Sequence, residues 1–376
     1  MRSIFNVCMA AIIAMAIACG SAHAAITVWE KEGAALNLSG DVRFRHETDH
    51  EDRLDKPARD RDRDRIRLRL GTEYKANENV SIGARLASEA DDDHSTNHNA
   101  ALLYGGAPES GFGLDKAYIR LDYKPVWIWM GKNDNPTWDP TGLTWDPDLI
   151  PEGVALGAKF GAGFKTWIFA AYYIVNETLY TAKDDTMFSY QAGASMGEDN
   201  EIKAAIGGYA ITDTRDDSEN GLSVPGGTAS YTHAMMELSS KTLPLHPTLG
   251  AQYVATTVDK EKQIGDGAKD SDRQAIAAYL KLHPGPVSVT LGLWDVGYAA
   301  APALGLFNAD NFAKTTNYTG WDIAVKGKVS HALSVEVRYF QQEVKNSAIK
   351  PEFTEEAMIG KGNKRTRFQV NLSVKF

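Results

Sequence analysis

Cysteine is almost missing: the 376 residues contain two, Cys8 and Cys19. Both lie within a leader-like opening. Arg2 is followed by an uncharged apolar run from Val7 to Ala18 and then by Ala22-His23-Ala24, the pattern of a secretory signal with an A-x-A cleavage site. Residues 1–24 read as a Sec-type signal peptide, with cleavage after Ala24 and a mature chain from Ala25. That mature chain has no disulfide framework, thiolate zinc site or c-type haem motif. A rival reading makes Ala16–Cys19 a lipoprotein box, but the usual leucine at its first position is missing.

Three further absences narrow the class. No second apolar run is long enough to cross a bilayer as a helix, which excludes an ordinary helical membrane protein. No basic surplus exists. The net charge is −9, which argues against a nucleic-acid partner. No G-x-S-x-G occurs, nor a His–Ser arrangement that paired strands would join, so neither an enzyme nor a cofactor is expected. A mean hydropathy of −0.33 suits a soluble protein. It suits a barrel equally well, because only alternate strand residues meet lipid.

What the sequence does contain is alternation with period two. Leu36, Leu38, Gly40, Val42 and Phe44 alternate with Asn37, Ser39, Asp41, Arg43 and Arg45. Ile66, Leu68, Leu70, Thr72 and Tyr74 alternate with Arg67, Arg69, Glu73 and Lys75. Phe368, Val370, Leu372, Val374 and Phe376 alternate with Arg367, Gln369, Asn371, Ser373 and Lys375. One face is apolar and the other polar, as in a half-buried strand. Extended along the chain, the pattern predicts about sixteen strands: 35–47, 65–76, 79–89, 114–124, 126–132, 153–160, 165–175, 186–196, 201–212, 228–240, 247–257, 273–282, 287–298, 318–329, 334–344 and 364–376. In 126–132 both faces are apolar, and in 202–212 and 229–240 Ala, Gly and Met blur the alternation.

The connections alternate too. Short ones such as Asn77-Glu78, Pro125 and Gly161–Phe164 take turns with the long polar stretches 48–64, 90–113, 133–152, 176–185, 213–227, 258–272, 299–317 and 345–363. Short turns at one end and long loops at the other describe an all-β, transmembrane, antiparallel up-and-down barrel spanning 25–376. Tyr74, Tyr123, Phe160, Trp167, Trp321 and Tyr339 fall near strand ends, where aromatic girdles form. Phe376 ends the chain on an alternating strand and resembles the signal read by barrel-assembly machinery.

At this point the chain resembles Gram-negative general porins and, more narrowly, the "putative porin" families. The likeness rests on Leu36–Arg45, on Gly113-Leu114-Asp115-Lys116-Ala117-Tyr118-Ile119-Arg120-Leu121 running on to Gly131-Lys132-Asn133, and on Asn135-Pro136-Thr137-Trp138 through Trp145-Asp146-Pro147-Asp148-Leu149-Ile150-Pro151-Glu152-Gly153. The resemblance implies a homotrimer of sixteen-stranded barrels in the outer membrane, amid lipid and lipopolysaccharide. It also implies passive diffusion of small hydrophilic solutes and ions.

Two groups of residues are candidates for the pore. Arg43, Arg45, Arg67, Arg69, Arg85, Arg120, Arg365 and Arg367 fall at inward positions. Closure pairs the last strand with the first, gathering them into one basic wall. The third long connection carries Asp134, Asp139, Asp146, Asp148 and Glu152, and by resemblance folds into the lumen as a constriction. Acids opposed to arginines across a narrow gap would set up a transverse field. The plainer reading pairs the arginines with inward acids such as Asp41, Glu73 and Glu89.

Other clusters point less sharply. Arg59-Asp60-Arg61-Asp62-Arg63-Asp64-Arg65 suits a solvated loop, or a strand tip with oppositely charged faces. Asp91-Asp92-Asp93-His94 with His98 matches no specific metal motif. Alternative functions are an anion- or phosphate-selective channel, a barrel sheathing a partner such as a multihaem cytochrome, and an outer-membrane hydrolase.

Overall fold

The computed structural model describes residues 25–52, 57–88, 112–176, 184–212, 228–258, 267–301, 316–348 and 364–376. The expected signal segment and the Asp91–His98 cluster lie outside them. The strands are β1 (Ile26–Lys31), β2 (Ala34–Asp52), β3 (Arg59–Lys75), β4 (Val80–Ser88), β5 (Phe112–Tyr123), β6 (Val126–Lys132), β7 (Glu152–Phe160), β8 (Phe164–Asn176) and β9 (Asp185–Met196). They continue with β10 (Asn200–Thr212), β11 (Thr228–Ser240), β12 (Thr248–Thr256), β13 (Gln274–Leu282), β14 (Val287–Val296), β15 (Tyr318–Lys328), β16 (Leu333–Val344) and β17 (Lys364–Lys375).

From β2 onward each strand pairs antiparallel with the next, and β17 returns to pair with β2 (Arg367 opposite Asp49, Val374 opposite Val42). The ring of sixteen is therefore closed. Closure satisfies every strand edge within the sheet, which a hydrocarbon environment demands because it offers no water to unpaired amides.

Side chains sort by parity. Leu38, Leu70, Ile82, Ile119, Met130, Leu156, Ile206, Ile276 and Leu293 stand exposed on the outside, Leu293 at 64%. They form the apolar belt facing lipid. Their neighbours in sequence face inward. Tyr74, Tyr123, Phe160 and Trp321 are exposed on the outer side near strand ends, as a girdle requires. Trp167 is not among them. It faces inward, and its ring lies against Gly193, where a Cβ would stand 2.1 Å from the indole.

Three features depart from the expected plan. First, an extra strand, β1, pairs with the start of β2 (Ile26 opposite Leu38). The turn between them uses two residues of positive φ, Glu32 at 51° and Gly33 at 83°, a primed hairpin turn. Beyond its reach, the chain end takes over: Gly40 and Phe376 exchange backbone hydrogen bonds of 2.8 and 3.0 Å, and the Phe376 ring sits on Gly40.

Second, β2 and β3 are 19 and 17 residues long, against the roughly 9–11 a barrel strand needs to cross. Their outer face is apolar as far as Phe44 and Ile66 and polar from His46 and Asp64 onward. The hairpin tip therefore projects beyond the lipid belt. The alternating Arg/Asp run at 59–65 is part of β3, with arginines on the inner side and aspartates on the outer. On that outer side His50 bonds Asp60 at 2.6 Å, and this carboxylate holds the imidazole pKa above its ordinary value.

Third, a bulge in β5 opposite Arg85/Leu86 switches the inward parity. Asp115 faces in before it, and Tyr118 and Arg120 face in after it.

Candidate functional site

The inner wall divides in two. On β17, β2 and β3 it is charged. β2 turns Asp41, Arg43, Arg45, Glu47, Asp49 and Glu51 inward, while β3 turns Arg59, Arg61, Arg63, Arg65, Arg67 and Arg69 the same way. β17 adds Arg365 and Arg367. The expected basic residues are thus neighbours on consecutive strands, but they are tied to carboxylates. Arg367 Nε donates to Asp49 at 2.8 Å, and Arg365 reaches the same carboxylate at 3.0 Å. Arg63 pairs with Glu47, whose side chain is fully buried. Arg67 and Arg69 both donate to Asp41, at 2.8 and 2.6 Å. Arg45 Nε donates to Asn371 at 2.7 Å. Arg85 pairs with Asp115. Arg120 stands apart, bound to Asp122 at 2.7 Å and lying 5.0 Å from the centre of the Trp127 ring.

Across β6 to β16 the inner wall is largely apolar in its long-loop half. Trp129, Phe169, Tyr173, Met187, Tyr209, Ile211 and Tyr231 form one buried cluster. Val254, Ala277, Trp294, Val296, Tyr318 and Phe340 form a second. Both are completed by the segment between β6 and β7. Trp145 and Leu149 join the first cluster, and Leu143 the second. Trp145 stacks on Tyr209 with ring centres 6.0 Å apart, and Trp129 stacks on Tyr173 at the same separation. This explains why both faces of 126–132 are apolar in sequence: one meets lipid, the other meets this segment.

The segment is fastened to opposite sides of the ring. At one end Asp148 accepts from Arg67 at 2.8 Å and from Arg69 at 2.9 Å, on β3. At the other, Thr144 lies 3.4 Å from His233 on β11, and Thr141 bonds Gln252 on β12. In a ring of sixteen, β3 and β11 are eight places apart by either route, so the segment crosses the interior. Gln191 on β9 clamps the backbone of Trp138 twice, each bond 3.0 Å. Tyr209 donates to Thr137 at 3.3 Å. The ends of the segment meet, since Asn133 N–H donates to Pro151 at 3.2 Å.

Its five acids have separate tasks. Asp148 is the one that binds Arg67 and Arg69. Asp139 accepts from the backbone N–H groups of Gly142, Thr144 and Trp145 at 2.8–2.9 Å and so folds the segment on itself. Asp146 is buried and accepts from the Asp148 N–H at 2.8 Å. Asp134 pairs with Lys116, and Glu152 stands 3.5 Å from Lys132. Asp148 thus contacts the basic wall directly, with no water gap between them. The neutral anchors Gln191, Gln252 and His233 are not among the expected site residues; isolated polar residues at inward positions of otherwise apolar strands are the signal that marks them.

Residues 31–245 match the family described as Putative porin, more than half of the chain, and the chain belongs to that family. No curated protein sequence matches it. Among solved structures it is similar to OmpF of Salmonella typhi, seen in complex with daunomycin. That likeness is at 13% identity and a TM-score of 0.56, covering 93% of this chain and 100% of the other. It is also similar to OmpT, an outer membrane protein of Vibrio cholerae, at 11% identity and a TM-score of 0.53, covering 93% and 99%. At such identities the likeness shows the barrel fold. Family and fold together make this a channel-type barrel of the bacterial outer membrane.

Proposed function

We propose that the protein is a passive porin, through which small hydrophilic solutes and ions diffuse down their gradients, with residues 133–152 as the constriction. The observation carrying this reading is the two-sided fastening of that segment: Asp148 on the arginines of β3, Thr141 and Thr144 on β11 and β12. A chain held across a closed barrel narrows it without sealing it. The charged side then lines the remaining path. Fixed charges in a narrow passage with low-dielectric walls favour polar, oriented solutes over apolar ones.

An anion preference is a second reading, favoured by β3, where Arg59 through Arg69 place a cation at every second position. Planar-bilayer recording tests both. The wild-type protein should give stepwise, ohmic openings, grouped in threes if the barrel assembles as a trimer. Replacing Arg43, Arg45, Arg67 and Arg69 by glutamine leaves Asp41 and Asp148 in excess and should move the reversal potential toward cation selectivity. An absence of conductance would overturn the porin reading. An unchanged reversal potential would remove the arginine wall from it.

A further inference from the structure

Arg63, Arg67, Arg69, Arg85, Arg365 and Arg367 of the wall pair with carboxylates, whereas another set of inward cations makes no such ion pair among the described residues. Lys159 on β7, Lys165 on β8 and Lys203 on β10 alternate inward with Gly157, Trp167 and Ala205. None has a carboxylate within ion-pairing distance among the described residues. Glu237 stands opposite Lys203 in the β10–β11 register and accepts from the Tyr279 hydroxyl; it and Glu201 attract the Lys203 ammonium without forming a direct ion pair. The three lysines border one cavity of about 480 Å³ at the short-turn end of the barrel, beneath the crossing segment. Glu201 is the single acid that lines it.

Two indoles complete the cavity. Trp167 packs its ring against the backbone of Gly193 on the inner face of the sheet. Trp138, from the crossing segment, meets it edge-on, with ring centres 6.1 Å apart and planes at 89°. Gln191 fixes both: its buried amide brackets the Trp138 backbone, and its carbonyl oxygen accepts from the Trp167 indole N–H at 3.2 Å. The Lys203 ammonium is held 4.2 Å from the Trp138 ring centre and 5.4 Å from that of Trp167. Indole surface and a cation that makes no direct ion pair among the described residues therefore share one cavity.

We infer that this cavity is a binding site for a small aromatic carboxylate, whose ring stacks on Trp167 while its anionic group meets Lys203, Lys165 and Lys159. Stacking and charge are separate contributions here. A ring without charge, or a charge without a ring, uses half the site. The inference rests on the reading of the interior as a solute path, with this site next to the crossing segment on the short-turn side.

The test is equilibrium binding, which does not require conduction. Detergent-solubilised, heat-modifiable barrel is titrated calorimetrically with benzoate, acetate and benzyl alcohol. Benzoate should bind saturably and at least tenfold more tightly than either of the others. Lys203→Gln should weaken benzoate at least fivefold and leave benzyl alcohol unchanged. Trp167→Leu should weaken benzoate and benzyl alcohol together, and Lys203→Arg should restore most of the benzoate affinity. Benzoate binding no tighter than acetate would overturn the site, whether or not the barrel conducts. Equal affinity for benzyl alcohol would also overturn it, by making the cavity a neutral aromatic site. Benzoate binding to a barrel that fails to conduct would support the site while removing the porin reading.

Discussion

The charged sector of the inner wall and the apolar sector hold the same segment by opposite means. On β3, Arg67 and Arg69 grip one carboxylate, Asp148, which is small, directional and charged. On β8 to β16, Trp145, Leu149 and Leu143 pack into clusters built from Tyr173, Tyr209, Trp294 and Phe340. The apolar contact is broad and tolerant of small changes in shape. The ionic contact is narrow and depends on every partner. The difference implies that the apolar sector holds the segment inside, while the charged sector fixes where Asp148 lies.

The ionic side should break most abruptly. Asp41 is shared by Arg67 and Arg69, all three largely buried. Asp41→Asn leaves two guanidiniums with Asp148 alone, and loss of one partner from a buried pair costs about 3–5 kcal/mol. A marked fall in thermal stability, read by the temperature at which heat-modifiable migration is lost, is expected, together with a shift toward anion selectivity. Asp148→Asn should act less on stability, because Asp41 remains, and more on the segment. Its tip should come away from β3, and current noise should rise in single-channel records.

The apolar side should yield gradually. Tyr209→Phe keeps the stack on Trp145 and removes the hydroxyl that bonds Thr137, a loss on the order of 1 kcal/mol per hydrogen bond. Conductance should then change little. The smallest expected effect lies outside the membrane belt, at His50. Because Asp60 raises its pKa in the folded hairpin, the contact contributes while the imidazole is protonated and fades as pH rises through that elevated value. An NMR titration should place His50 above an ordinary histidine, and Asp60→Asn should bring it back down.

Most of the barrel could be read from alternation, because one face of each strand meets lipid and the other does not. All sixteen barrel strands fall close to their expected spans. The exceptions have physical reasons. β1 escaped notice because its six residues are exposed throughout and its turn, Glu32-Gly33, is embedded in a charged stretch. The Arg/Asp run of 59–65 reads equally as a solvated loop or as a strand tip with oppositely charged faces, since charge on both faces hides the strand period once a hairpin leaves the membrane; it is the strand tip. Trp167 looked like a girdle residue from its place near a strand end, but parity with Phe169 and Tyr173 turns it inward. The neighbourhood of the arginines could be deduced from closure. Their individual partners could not, because Asp41 and Asp148 are 107 residues apart in sequence and meet only through Arg67 and Arg69.

The most direct test replaces residues 136–148 by a two-residue glycine turn, which the adjoining ends at Asn133 and Pro151 permit, and compares single-channel conductance with wild type. If the segment narrows the path, conductance should rise at least twofold while the barrel keeps its heat-modifiable migration. A folded barrel with wild-type conductance would contradict the account.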